Sequence, residues 1–433
     1  MRIVFFGNFG AGNLGNECTL QTAIEQTYRF LPQARLLCLC TNPEDVRTRH
    51  GIAAARSTAL EPGWSWADVG TRQRSSNFSD HSAVASAPGP ASRLLAKLRR
   101  LLRVTFIRAP RELAHWLYSL RLLTRADILM VPGTGIVTDH GCGSLGWPYD
   151  MFKLSLLARL CRARVAFLSV GVGPFHRPLG RWFIKRSLRL AHYRSYRDED
   201  SRLCLQSIGF DTRHDAVYPD LVFGLSPEQL GIPHRQPAGQ RIVGLGLKDY
   251  SGADDEAQRG AYRDYLNSMA DFVCHLHQQG FGVRLIIGDV QYDTRVREDL
   301  IEVLKGRSSY SEAAALLAEP VPTVQELLRQ LRETDAVVSP RFHNLVLALM
   351  LNKPVIALSD LPKVDALLSD LGLAQYCLRL ADLRSETLIG RFGQLQSNAS
   401  QLKPYIDSQM QKYRAALNKQ YESLFAELRS HQR

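Results

Sequence analysis

Arg341 and His343 stand two residues apart in the run Thr334 to Lys363 (TDAVVSPRFHNLVLALMLNKPVIALSDLPK), and their side-chain types suit anion and proton chemistry. A guanidinium offers a planar fork of donors to a carboxylate or phosphate, and an imidazole can exchange protons near neutral pH. Lys363 brings a third cation to the end of the same stretch. Arg197, in the run SYRDEDS, is a fourth cation, with two roles open to it: an ion-paired structural residue of an Arg-Asp step, or a side chain facing a cleft.

The elements that must position these residues follow from periodicity. Ala336 to Ser339 is a short β-branched run, Phe342 to Leu351 repeats apolar residues at helical spacing, and Pro354 to Leu358 is a second apolar run. Together they predict one βαβ unit, with Arg341 and His343 where the first strand ends and the helix begins. Open α/β sheets bind ligands at the carboxyl ends of their strands, and helix N-termini present free N–H groups to anions. The positive helix end favours a neutral His343 unless a bound anion compensates. The competing reading makes Arg341 a cap on the sheet edge and His343 a hydrogen-bonded core histidine.

Length and composition bound the rest. The chain has 433 residues, enough for two domains, with 45% hydrophobic and 22% charged residues, which are globular values. A formal charge of +12 predicts an anionic partner without choosing among nucleic acid, membrane and phosphorylated substrate. No zinc finger, RNA-binding aromatic signature or helix-turn-helix pattern is present, so nucleic acid is not expected. Eight cysteines, scattered, mostly inside apolar runs and without a C-x-x-C, read as reduced, buried thiols of a cytosolic protein. The strand-like Arg2 to Phe6 leaves no room for a signal peptide, and no apolar run approaches transmembrane length.

Glycine-rich turns recur after apolar runs. The first is GNFGAGNLGNE after Arg2 to Phe6, with Asn13, Gly15, Asn16 and Glu17 as polar or close-approach candidates for a ligand. Its Gly10-x-Gly12-x-x-Gly15 spacing formally matches a dinucleotide fingerprint, but the run Leu36 to Cys40 ends in Thr41 and Asn42, not in the acidic residue that motif needs. A turn without a ligand is the other reading. The second, PGTGIVTDHG, follows Asp127 to Val131 and carries Gly133, Thr134, Asp139 and His140; the third, with Gly171 and Gly173, follows Val165 to Val170. Three such loops predict one concave rim.

Residues 1–225 are expected to form an N-terminal Rossmann-like domain, interrupted at about 56–125 by a mobile, basic insertion. Within it, 93–125 is rich in Arg and Lys, with Leu94, Leu95, Leu98, Leu101 and Leu102 on one helical face. That pattern fits peripheral contact with an anionic membrane or an ordinary surface helix packed by its leucines. Ser226 to Gln240 reads as a linker, 241–400 as a second Rossmann-like domain, and 401–433 as a long terminal helix. Thr323-x-x-Glu326 is a capping box opening a helix to Arg332. His275 and His277 lack metal-ligand spacing, and no metal site is expected.

Taken in order, GNFGAGNLGNECTL, PGTGIVTDHG, GVGPF, YRDEDS, YPD, SPRFHNLVLAL and PVIALSDLPKV resemble the polysaccharide pyruvyl transferases. The resemblance implies a two-domain α/β fold like that of GT-B glycosyltransferases, two Rossmann-like domains facing a central cleft. It implies transfer of a pyruvyl group from phosphoenolpyruvate to two hydroxyls of one sugar, with release of phosphate and no further cofactor. His343 takes the place of the family's histidine, Arg341 and Arg197 those of its arginines, and Lys363 that of its lysine. Gly171 and Gly173 fall with these on the donor side. Asn13, Gly15, Asn16, Glu17, Gly133 and Asp139 fall on the acceptor side, where the chain departs from the usual G-D-E (Asn16) and G-G-G (Thr134) patterns. A glycan or lipid-linked oligosaccharide acceptor would place the enzyme at the inner face of the cytoplasmic membrane. A nucleotide-sugar glycosyltransferase and a non-catalytic glycan-binding relative are the alternatives.

Overall fold

The computed structural model describes residues 1–57, 109–231, 240–249, 256–308, 310 and 316–430. Its first sheet holds β1 (Arg2–Phe6), β2 (Arg35–Cys40), β3 (Ala53–Arg56), β4 (Ile128–Pro132), β5 (Arg164–Val170), β6 (Tyr193–Tyr196) and β7 (Ala216–Val217), in the order β3-β2-β1-β4-β5-β6-β7. The second holds β8 (Ile242–Leu247), β9 (Gly282–Ile287), β10 (Leu316–Leu317), β11 (Ala336–Ser339), β12 (Val355–Ser359) and β13 (Cys377–Arg379), in the order β10-β9-β8-β11-β12-β13. All its pairings are parallel. Both sheets follow the doubly wound order, reversing direction beside β1 and β8. The α/β class with two Rossmann-like sheets is thus the one expected.

The helices are α1 (Leu14–Phe30), α2 (Pro43–His50), α3 (Ala109–Leu123), α4 (Trp147–Leu160), α5 (Pro178–Leu190), α6 (Glu199–Ser207), α7 (Pro227–Leu230), α8 (Glu256–Gln278), α9 (Asp293–Lys305), α10 (Val324–Arg332), α11 (Phe342–Met350), α12 (Pro362–Asp370) and α13 (Ser385–Ser430). Thr323 caps α10, its hydroxyl accepting the Glu326 N–H at 3.1 Å, as its capping box predicts.

Two compact units emerge. One comprises Met1–Ala11, Gln33–Leu168 and Gly173–Arg194, the other Gly12–Pro32, Ser169–Val172 and Ser195–Arg433. The expected linker is in part a helix: Ser226 caps α7, and 232–239 lie outside the described residues. Of the basic 93–125 segment, 93–108 lie outside the described residues and α3 fills most of the remainder.

The terminal helix begins at Ser385, well before Gln401, and runs through Pro404. Gly390, Gly393 and the polar run from Gln396 to Ser400 obscure its periodicity in the sequence. The buried stripe nonetheless continues from Leu388, Phe392 and Leu395 to Ile406, Met410 and Leu417, and burial against the second unit outweighs local propensity. Phe425 stacks on Phe30 of α1 at 5.3 Å, and Tyr413 meets Phe223 edge-on at 4.9 Å. All eight cysteines are free thiols, but only Cys18, Cys38, Cys40 and Cys274 are buried as expected, the other four being partly exposed.

Candidate active site

The site lies wholly within the second unit. Arg341 ends the turn after β11 in extended conformation and His343 occupies the first turn of α11, where the βαβ pattern places them. One edge of the Arg341 guanidinium is taken by a carboxylate of the protein itself. Its Nε donates to Asp293 Oδ2 at 2.8 Å and its Nη2 to Oδ1 of the same carboxylate. Asp293, fully buried at the start of α9, also accepts the backbone N–H groups of Asp249 (3.1 Å) and Asp289 (3.0 Å). Burial alone would weaken Arg341's hold on its proton, but the Asp293 charge outweighs that and strengthens it. Arg341 therefore anchors the loop before α11 and contributes positive field.

His343 sits among cations. Burial, followed by Lys363, Arg197 and Arg341, drives its proton affinity well below that of an exposed histidine. Its Nε2 is buried without a hydrogen-bond partner among the described residues, 4.0 Å from Asp220 Oδ2. The next side chain, Asn344, is buried with neither amide atom partnered among the described residues. Buried polar atoms in this state are few in native proteins and call for an explanation.

Arg197 begins where β6 ends. Its backbone N–H donates to Val170 O at 3.2 Å, its Nε to Asp198 Oδ2 at 3.2 Å, and its Nη1 to Asp220 Oδ2 at 3.5 Å. Both readings of this residue thus hold in part, because the guanidinium is ion-paired and also lines a cavity of about 210 Å³. Asp198, Tyr218, Asp220, Phe342 and Lys363 share that wall with, among others, Phe223, Asp370 and Tyr413. The Phe342 ring has the Arg197 guanidinium at 5.3 Å and the Lys363 ammonium at 5.3 Å from its centroid, both within cation–π range. Lys363 makes no ion pair among the described residues, and burial together with Arg197 and Lys248 lowers its pKa to about 7. His343 is not on the cavity wall, but Asp220, which is, has its Oδ2 4.0 Å from His343 Nε2.

The glycines serve these side chains. A Cβ on Gly15, in the first turn of α1, would stand 1.8 Å from His343 Nδ1, and one on Gly171 would stand 2.4 Å from the Arg197 guanidinium carbon. The close approach expected of these loops is to the protein's own imidazole and guanidinium. Asn13 caps α1, accepting the Asn16 N–H at 3.2 Å, while its amide donates to Asp289 at 3.2 Å. Asn16 thus enters the site's neighbourhood through its backbone, and Glu17 is fully buried in the same turn. Burial raises the Asp289 carboxyl to about 6 against the pull of Arg341.

The remaining candidates belong to the first unit. Gly133 turns with φ 46° after β4, Thr134 carries a buried hydroxyl without a partner among the described residues, and Gly173 packs a backbone N–H onto Val137 O at 3.0 Å. Asp139 accepts the N–H groups of His176 and Arg177, each at 2.8 Å, and so ties down the start of α5. His140 Nδ1 lies 3.3 Å from His176 Nε2. No group of three or more His, Cys, Asp or Glu side chains suited to a metal ion occurs among the described residues.

Asp220 and Asp293 were not singled out from sequence. Asp220 had a signal: it follows Pro219 after β7 and caps the 3-10 turn Leu221–Gly224, accepting the Val222 N–H at 3.1 Å. Asp293 had none, since only the folded chain brings it to Arg341.

Two doubly wound sheets and a long closing helix define the GT-B-type class of α/β proteins. UDP-GlcNAc 2-epimerase from Neisseria meningitidis superposes with a TM-score of 0.53 at 14% identity, covering 94% of this chain and 94% of that one. A glycosyltransferase from Rickettsia africae does so with a TM-score of 0.55 at 10% identity, covering 99% and 98%. At such identities the likeness is one of fold. Among proteins with curated descriptions, none matches. The chain belongs to the polysaccharide pyruvyl transferase family, whose model matches residues 30–360. Arg197, Asp220, Arg341 and His343 fall inside that span; Lys363 and the first turn of α1 fall outside it.

Proposed function

We propose that this transferase moves the pyruvyl group of phosphoenolpyruvate onto two hydroxyls of a sugar in a polysaccharide or lipid-linked precursor, forming a cyclic ketal and releasing phosphate. The reading rests on one observation: an unpartnered imidazole nitrogen set in a cluster of Arg197, Lys363 and Arg341 beside a cavity of about 210 Å³. Arg197 and Lys363 hold the donor's carboxylate and phosphate, and Arg341, locked by Asp293, keeps α11 and its field in place. As C2 is attacked by the first hydroxyl, the methylene carbon takes a proton, the C–O bond to phosphate breaks, and the second hydroxyl closes the ring. His343 supplies the proton by way of Asp220 and later accepts one.

An empty cationic site keeps His343 neutral. A bound multiply charged donor reverses that field and raises its affinity for a proton, so the acid is armed only when there is something to protonate. For the acceptor, the reading keeps Asn13, Gly15, Asn16 and Glu17 as candidates in the second unit and Gly133 and Asp139 as candidates in the first.

The test is incubation with phosphoenolpyruvate and lipid-linked glycans. Inorganic phosphate release with an acid-labile mass gain on the sugar supports the reading. Release of a nucleoside diphosphate from UDP-sugars, with phosphoenolpyruvate untouched, overturns it in favour of glycosyl transfer.

A further inference from the structure

The outward side of α3 and α5, in the first unit, is apolar where a water-facing surface should be polar. On α3, Leu113 is 61%, Leu117 56% and Tyr118 45% exposed; Leu113 and Leu117, four residues apart, share one face, and Tyr118 widens the apolar strip beside Leu117. On α5, Leu179 is 49% and Trp182 45% exposed. Between them runs α4, packed against both, with Leu160 exposed at its end. Trp182 is held by the Phe152 ring at 5.4 Å and by the Arg186 guanidinium at 5.4 Å, so its indole is a fixed part of this face.

Charge on these helices has one sign. Arg121, Arg181, Arg186 and Arg189 are exposed, whereas both acids of the three helices, Glu112 and Asp150, are engaged by buried Lys153 at 2.9 and 3.0 Å. A second copy would meet this face with the same positive sign, and nucleic acid has no use for its leucines. An anionic bilayer satisfies both features, since aliphatic and indole groups enter the headgroup boundary while guanidinium groups meet lipid phosphates.

We propose that the outer face of α3 and α5 seats this protein on an anionic lipid surface. The proposal does not rest on the pyruvyl-transfer reading, and its failure would leave that reading intact. The full chain is sedimented with vesicles of phosphatidylcholine alone or mixed with phosphatidylglycerol. Binding is expected only to the mixed vesicles and is expected to weaken with salt. Arg186→Glu with Arg189→Glu should cut it by at least tenfold, each charge contributing a factor of about five at such a surface. Leu117→Glu should cut it severalfold with an unchanged melting curve, because Leu117 is mostly exposed. No binding to the mixed vesicles, equal binding to phosphatidylcholine, binding unaltered in both variants, or a concentration-dependent dimer abolished by Leu117→Glu would each overturn it.

Discussion

In the proposed reaction, His343, Lys363 and Asp220 divide the proton work. Replacing His343 with Ala should lower turnover by about 10²–10⁴, the range for loss of a general acid, with donor affinity changed little. Single-turnover phosphate release beside equilibrium donor binding checks this. Lys363 carries its own pH dependence. Its lowered pKa means that the associated stability is present above the unfolded lysine's pKa and lost as pH falls through about 7, where folding crowds another cation beside Arg197 and Lys248. Lys363→Met should therefore stabilise the ligand-free protein at pH 7, by about 1 kcal/mol on thermal melting, while abolishing tight donor binding. In the native protein, donor affinity should fall as pH rises above about 7, and binding there should take up a proton. Calorimetry in buffers of different ionisation heat reads that uptake directly. Burial pushes the Asp220 carboxyl up, against Arg197. Asp220→Asn should reduce turnover by about tenfold or more and shift the acidic limb of the rate profile, and an unmoved limb would show Asp220 to be scaffolding only.

At the scale of elements, the first turn of α1 and the first turn of α11 are fitted to one another through Gly15 and His343. A methyl group on Gly15 would overlap the imidazole, so Gly15→Ala should cost about 1–3 kcal/mol and most activity. In a His343→Ala background the same change should cost much less, and the double-mutant cycle measures the difference. The elements themselves were largely legible. The strands β1, β5 and β11 appear at the residues their apolar runs predict, because strands covered on both faces must be apolar throughout. The site was legible in part. Arg341, His343, Arg197 and Lys363 could be found because turns after strands are where α/β proteins keep polar residues. What periodicity could not convey was pairing: Arg341 is turned to Asp293, and Gly15 and Gly171 admit side chains, since those facts depend on contacts between distant segments. Edge strands such as β3 (AAAR) and β10, short and weakly patterned, were likewise beyond reach.

For the molecule as a whole, each unit hangs on a buried polar knot. In the first, Lys153 is fully buried against Glu112 and Asp150, with Tyr149 also donating to Glu112 at 2.8 Å. Lys153→Met strands two carboxylates and should cost about 3–5 kcal/mol, seen as a lower urea midpoint. In the second, Gln420 near the end of α13 reaches Ser169, whose φ is 46°, at 3.0 Å and Ser195 at 2.7 Å. Ser169 in turn donates its N–H to Ser195 Oγ at 2.8 Å, fixing the β5 and β6 ends from which Gly171 and Arg197 follow. During synthesis, α1 leaves the ribosome among the first segments of this unit and α13 as its last helix. Nascent chains short of Gln420 and Tyr413 therefore hold His343 and Arg197 in an unfinished pocket, and the protein spends its translation without a working site. On the proposed reading, phosphoenolpyruvate meets no complete site until that stretch of α13 has been made.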